Sequence, residues 1–249
     1  GHPLYRDAEI ESVCEQLKTG KTIIFMVDHS DHVAQIAAVA KRMGVVAPVC
    51  IDVDMSSEFP GVYCGVRRSA IRTPEQADAG VSAVKQHDSV ELRGLMGYEA
   101  QIAGLQDKAP SGGLQNMLIP KLKKRSIIEL RARRKAVVES IRAQGIELPL
   151  VNGGGTGSVE STCEEDVVSE VTVGSGFFSP TLFDHYTQFR HHPAAGYAIE
   201  VVRRPQDGMV TCAGGGYVAS GQAGKSKLPQ PYLPDGTKLL DQEGAGEVQ

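Results

Sequence analysis

Two short apolar runs that each break into a glycine cluster constrain this chain more than any other feature in it. LPLV (148–151) passes through Asn152 into Gly153-Gly154-Gly155-Thr156-Gly157-Ser158, and EVTV (170–173) runs into Gly174-Ser175-Gly176. Glycine lets the backbone take positive φ and brings amide N–H groups close to a ligand with no Cβ in the way. Two such loops at the carboxyl ends of neighbouring parallel strands make a concave set of donors suited to a phosphate. In a (β/α)8 barrel, the loops after the last two strands are the usual phosphate site. Either loop alone reads equally as a tight strand-to-helix turn with no ligand. The pair, with hydroxyls in both, favours phosphate.

The rest of the chain supplies a frame for those loops. Ala8 to Leu17 reads as a helix stopped at Thr19-Gly20. TIIFMV (22–27) is β-branched, aromatic and continuous, as suits a strand buried on both faces. Asp28-His29-Ser30-Asp31 then caps a helix over His32 to Met43. APVCIDVD (47–54) is a second buried strand, and 56–69 a glycine-punctuated loop. Thr73 caps a helix with Pro74 at its first position. ELRGLMGY (91–98) is a third strand, followed by a long polar loop from Glu99 to Leu122. A charged helix is expected from about Lys123 to Gln144. Its basic stretch KLKKRSIIELRARRK is interleaved with Glu129 and Glu139, and is read as the solvated face of an outer helix.

Strand and helix alternate throughout this region, which predicts an α/β fold of the (β/α)8 TIM-barrel type. Five strands to Phe178 do not close a barrel of eight. The expectation is therefore an incomplete barrel, about its last five strands, over residues 1–193. After Pro193 the pattern changes: GYAIEVVR (196–203) and MVTCA (209–213) are joined by a Pro-Gln-Asp-Gly turn with no helix between them. Residues 194–249 are expected to begin an antiparallel β domain, with a tail from Gly221 rich in Gly, Pro, Lys and Gln. Segments that would flank the chain on both sides are expected to be missing from it.

The net charge of −4 gives no electrostatic case for nucleic acid or an anionic membrane. No apolar run is long enough for a membrane span. The opening GHPLYRDAEIE lacks the basic start and apolar core of a signal peptide. Five cysteines without CxxC spacing fit reduced thiols in a cytoplasmic protein. The histidines form no HxH or HExxH pattern, so no complete metal site is expected within the chain.

Candidate site residues lie at the carboxyl ends of the expected strands. Asp52 and Asp54 share one side of their strand; Asp54 reads equally as a cap or a loop salt bridge. Tyr98, followed by Glu99 and Gln101, reads equally as a half-buried rim aromatic. Thr172 points to the same side of its strand as Gly174. Arg67 and Arg68 stand where a substrate carboxylate would enter and can hold one in bidentate fashion, although exposed arginines commonly meet only solvent.

GLMGYEAQIAG (94–104), VNGGGTGS (151–158) and EVTVGSGFFSPTLFDHY (170–186) resemble the alanine-racemase-like, fold-type III pyridoxal-phosphate enzymes. Within these, the motifs are most similar to the branch that holds D-threonine aldolase, D-serine dehydratase and the amino acid deaminases. The resemblance implies that Tyr98 packs on the cofactor's pyridine ring. It places Gly155, Thr156 and Gly157 in the first phosphate loop, Gly174 and Ser175 in the second, Thr172 near the pyridine nitrogen, and Gln101 near cofactor or substrate. Arg67 and Asp54 are weaker matches, on the substrate side. The family's Schiff-base lysine ends the first barrel strand, upstream of this chain, and Lys21 precedes a strand instead. A divalent metal, if used, would bind beyond the chain's far end. The implied activity is pyridoxal-phosphate-dependent aldol cleavage, or dehydration and deamination, of a D-amino or 3-hydroxy amino acid by a homodimer. This stretch alone is expected to be inactive. An amino acid racemase, a non-catalytic cofactor-binding protein and an unrelated barrel enzyme for a sugar phosphate are the other readings.

Overall fold

A strand that pairs parallel with its neighbour cannot be reached by a hairpin, so a crossover must carry the chain back between them. The computed structural model, which describes residues 2–108, 113, 115–214 and 229–240 (the side chain of Gln115 excepted), obeys that rule across its main sheet. The chain divides into two units: 1–105 with 121–173, and 106–120 with 174–249.

In the first unit, helix α1 (Asp7–Lys18) leads to strand β1 (Phe25–Val27), helix α2 (Ser30–Met43) and strand β2 (Ala47–Asp52). A hairpin of β3 (Ser57–Phe59) and β4 (Val62–Cys64) precedes helix α3 (Pro74–Lys85) and strand β5 (Val90–Gly97). Short helix α4 (Ala100–Ala103) follows, and then long helix α5 (Gln115–Ala143), which belongs to this unit from Lys121 onward. Strand β6 (Leu150–Gly153), helix α6 (Val159–Cys163) and strand β7 (Glu170–Val171) complete the unit.

The sheet order is β1-β2-β5-β6-β7, parallel throughout. Every crossover therefore moves one place in the same direction. A doubly wound sheet would reverse at a switch point; this one does not, and its winding is that of a barrel wall. The α/β reading holds. One consequence matters for function: Asp28, Asp52, Tyr98, Asn152 and Thr172 all stand at the same edge.

The core explains the strands. Val49, Ile51 and Val53 are buried, as is Cys50 on the opposite face of β2, because α2 and α3 cover one side of the sheet while the other faces inward. α2 ends at Gly44, whose φ of +69° only glycine adopts freely. α3 opens on a reciprocal cap: the Thr73 hydroxyl accepts from the Gln76 amide at 3.3 Å, and the Gln76 side chain accepts from the Thr73 amide at 3.1 Å.

Several expectations need correction. The cap of α2 is His29, whose Nδ1 accepts the Asp31 amide at 3.2 Å, and the helix begins two residues before His32. The glycine-punctuated loop contains the β3–β4 hairpin, turned at Pro60-Gly61 with Gly61 at φ +75°. The polar loop after Glu99 holds α4, and α5 starts at Gln115, running through Pro120. The basic stretch is not simply a solvated face. Lys123 and Arg134 are buried there, while Ile128 is exposed.

In the second unit, two 3-10 turns (Gly174–Phe177 and Thr181–His185) precede the hairpin of β8 (Glu200–Gln206) and β9 (Met209–Ala213). The hairpin is antiparallel, as the Pro-Gln-Asp-Gly turn predicts. Asp107 is buried and accepts from the Thr187 amide at 3.0 Å, and Phe183, Tyr186 and Phe189 pack ring to ring. Residues 215–228 and 241–249, which include most of the expected tail, lie outside the described residues.

Replacing Thr73 with Ala removes the cap acceptor, and is expected to destabilise the first unit by about 1 kcal/mol. Urea unfolding followed by circular dichroism checks this; an unchanged midpoint would contradict it.

Candidate functional site at the carboxyl edge of the sheet

β5 and β6 are neighbours, with Gly97 opposite Gly153, so the residues that follow them meet. Tyr98 and the glycine loop come together there. A Cβ on Gly155 would lie 3.0 Å from Cε2 of Tyr98 and 2.6 Å from the Ala103 Cβ, so only glycine lets the loop sit against the ring. Gly154 has φ +91°, and a Cβ on it would stand 2.7 Å from Val171. The loop is internally braced. The Gly155 amide donates to Ser158 Oγ at 3.1 Å, the Ser158 amide to the Gly155 carbonyl at 3.0 Å, and the Thr156 hydroxyl to the Val173 carbonyl. Thr156, Gly157 and Ser158 form one 3-10 turn, all buried.

Thr172 follows β7 and is itself exposed. Its hydroxyl meets the Asn152 side-chain amide, with Nδ2 at 2.9 Å and Oδ1 at 3.2 Å, and Nδ2 also donates to Glu170 at 2.7 Å. Gln101 is buried on α4 and donates to the Met55 carbonyl at 2.6 Å, tying α4 to the loop after β2. Gly174 and Ser175 belong to the second unit. There Gly174 has φ +59°, and the Ser175 carbonyl accepts from the Phe178 and Ser179 amides at 3.0 and 3.1 Å.

Asp54 is held by its own loop: its carboxylate accepts the Ser56 amide at 3.0 Å and the Ser56 hydroxyl at 2.7 Å, with Arg72 Nε at 3.5 Å. Arg67 is exposed and lies over the Tyr63 ring, 4.5 Å from its centroid. Arg68 is the arginine nearer Tyr98, 5.5 Å from that ring's centroid and 3.7 Å from the Asp52 carboxylate. Asp52, Asp54, Met55, Val66, Arg68 and Tyr98 line a crevice too narrow to hold a water.

Asp52 is the electrostatic anomaly of this edge. Burial pushes its carboxyl up to about 6; Arg68 pulls it down, and Asp28 and Asp54 push it further up. Beside it, Asp28 pairs with Nδ1 of His32, in the first turn of α2, at 2.9 Å. Burial also raises the Tyr98 phenol, so it stays protonated at neutral pH. Among the described residues, no group of three or more His, Cys, Asp or Glu is placed to hold a metal, and no helix is long and apolar enough to cross a membrane.

Beneath the loop lies a cluster that the sequence reading missed. Glu99 is wholly buried. Its carboxylate accepts from the Gly154 amide at 2.7 Å, Arg134 Nη2 at 2.9 Å and the Thr162 hydroxyl at 2.7 Å. Arg134 also donates to the Gly97 carbonyl at 3.1 Å and pairs with Glu165. The signal was available: Leu130, Arg134, Val137, Val138 and Ile141 are spaced as one helical stripe, and all five are buried.

No protein-family model matches the chain. It is 24% identical, over 193 residues, to a 3-hydroxy-D-aspartate aldolase of Paracoccus denitrificans (strain Pd 1222), a match that takes in 78% of this chain and 43% of that protein. The chain thus spans under half the length of the curated relative it matches. Among solved structures, D-threonine aldolase from Filomicrobium marinum superposes with a TM-score of 0.69 at 18% identity, covering 95% of this chain and 57% of that one. D-threo-3-hydroxyaspartate dehydratase from Delftia sp. HT23 gives 0.52 at 19% identity, over 70% of this chain and 40% of that one. An alanine racemase of Clostridium difficile 630 in complex with cycloserine gives 0.50 at 13%, over 74% and 42%.

The raised Asp52 carboxyl sets a pH test. Its folded-state value lies above the unfolded one, so its contribution to stability is fully present below the unfolded value near 4 and is lost as pH rises through about 6. Asn mimics the protonated form at all pH values. Asp52→Asn is therefore expected to gain stability over the native chain as pH rises from about 4 to about 6, and to hold that gain above it. Unfolding curves across that range check this; a difference that does not move with pH would contradict it.

Proposed function

For a chain that has the fold of the alanine-racemase-like, fold-type III proteins, we propose that this carboxyl edge binds pyridoxal 5′-phosphate. The observation that carries the reading is the approach of Tyr98 to the glycine loop through the Cβ-free face of Gly155. It puts a flat aromatic support beside a hydroxyl-bearing turn, as a planar ring with a phosphate arm requires. The residues fit the group. Gly155, Thr156 and Gly157 form the phosphate turn, and Tyr98 backs the ring. Gln101 braces the floor, and Thr172, steadied by Asn152, is the residue that the resemblance puts near the ring nitrogen. A neutral hydroxyl at that point leaves the nitrogen's proton weakly specified. Gly174 and Ser175, which the sequence reading joins to this set, stay with the second unit.

Bound pyridoxal phosphate supplies an electron sink for carbanion character at an amino acid's α-carbon. This chain's own part is to hold and orient it. On the substrate side, Arg67 is free enough to move to a carboxylate, whereas Asp54 would first have to leave Ser56 and Arg72. The wider reading is a pyridoxal-phosphate-dependent lyase for a D-amino or 3-hydroxy amino acid. It rests on the similarity to 3-hydroxy-D-aspartate aldolase, D-threonine aldolase and D-threo-3-hydroxyaspartate dehydratase. The racemase reading rests on the weaker superposition. A homodimer follows the same resemblance, while the cytoplasmic location rests on the five cysteines without CxxC spacing and the domain boundary near Pro193 on the change of strand pattern there.

Titration calorimetry with pyridoxal phosphate, pyridoxal and a sugar phosphate separates the readings. The expected result is binding of pyridoxal phosphate, with pyridoxal weaker by about tenfold or more for want of its charge-assisted contacts. Equal or tighter binding of the sugar phosphate would turn the site over to that chemistry. No binding of any of the three would overturn the phosphate assignment.

A further inference from the structure

The Glu99–Arg134 cluster is unusual for where it lies. Removing a guanidinium and two carboxylates from water is costly, and apolar residues of similar volume usually hold a core together as well or better. A role beyond cohesion is indicated by what the cluster grips. Arg134 Nη2 holds the carbonyl of Gly97, and Glu99 anchors the other side, so the peptides flanking Tyr98 are fixed at both ends. The same Glu99 carboxylate takes the amide of Gly154, the positive-φ residue on which the glycine loop turns. Thr162 on α6 adds a third donor to the carboxylate, and Glu165 closes the far side of Arg134. One buried group thus registers two structures that otherwise meet only through the sheet pairing and the packing of Gly155 on the ring: the aromatic support and the glycine turn.

The cluster also manages charge. A carboxylate directly beneath an anion-binding turn opposes the anion unless a cation stands with it, and Arg134 is that cation. We propose that Glu99 and Arg134 are a positioning pair that sets the glycine turn against Tyr98 and screens the carboxylate from the phosphate, so that phosphate affinity depends on two residues that never touch it. The proposal rests on the pyridoxal-phosphate reading for its ligand, though not for the loop geometry.

The test compares the native chain with Glu99→Gln, which keeps the shape and an acceptor for Gly154, and with Arg134→Met and Arg134→Lys. Calorimetry gives the affinities for pyridoxal phosphate and for pyridoxal. Hydrogen exchange over 150–162 reads the loop directly. Glu99→Gln is expected to weaken pyridoxal phosphate by about tenfold, the lost charged anchor on Gly154 outweighing the removal of an opposing charge, while changing pyridoxal by less than about twofold, and to speed exchange at Gly154. Arg134→Met is expected to weaken pyridoxal phosphate more than Glu99→Gln does, because it leaves the carboxylate unscreened. Adding Glu99→Gln to it should recover part of the loss, as should Arg134→Lys. Equal losses for the two ligands would overturn the proposal, since a merely structural role moves both together. Unchanged exchange at Gly154 in Glu99→Gln would overturn it as well. If the native chain binds no pyridoxal phosphate, the functional reading fails, and the exchange result alone then decides whether the pair holds the turn.

Discussion

Parallel pairing is the constraint from which the rest of the first unit follows. Because no strand of β1-β2-β5-β6-β7 can reach its neighbour by a hairpin, each of the first four must be followed by a crossover, and all five end at one edge. The order never reverses, so there is no switch-point crevice of the doubly wound kind. Loops that are distant in sequence are thereby gathered side by side, and the pairing of Gly97 with Gly153 brings Tyr98 and the glycine turn together without any direct sequence relation between them.

That gathering is loose until something fixes it. Gly154 and Gly155 lack side chains to pack, and glycine gives up more backbone freedom on ordering than any other residue. The order is supplied from below, by Glu99 reaching up to Gly154 and by Arg134 reaching across to Gly97, and from within, by Ser158 and Thr156. The loop after β2 is treated in the same way. Arg133, next in the helix to Arg134, donates to the carbonyls of Asp54 and Ser56, and Gln101 donates to that of Met55. Helix α5 therefore acts as a strut whose arginines secure two of the edge's loops at once.

How much of this could be read in the sequence depended on whether the signal was local. β-branched runs, the Thr73-Pro74 helix start and the two glycine clusters carry their structure within a few residues, and they gave the sheet and its α/β class. The hairpin at Pro60-Gly61 was equally local and was passed over because its strands are only three residues each. Arg134 failed for a different reason. Its charge drew it to the solvated face, while its place in the stripe with Leu130, Val137 and Ile141 put it inside; periodicity outweighed residue type because Glu99 and Glu165 were waiting there to receive it. Those partners come from β5's end and from the end of α6, and no local pattern announces a partner that far along the chain. The division of labour between Arg67 and Arg68 was likewise out of reach, since neighbours in sequence diverge to Tyr63 and Tyr98.

The central claim is that the turn at Thr156–Ser158, set against Tyr98, receives the phosphate of a pyridoxal ring. A crystal structure of the chain grown with pyridoxal phosphate tests it most directly. The account predicts phosphate density within hydrogen-bond reach of the Thr156–Gly157 turn and the pyridine ring lying on Tyr98. A ligand bound elsewhere on the chain, or held at this turn with its ring away from Tyr98, would contradict it.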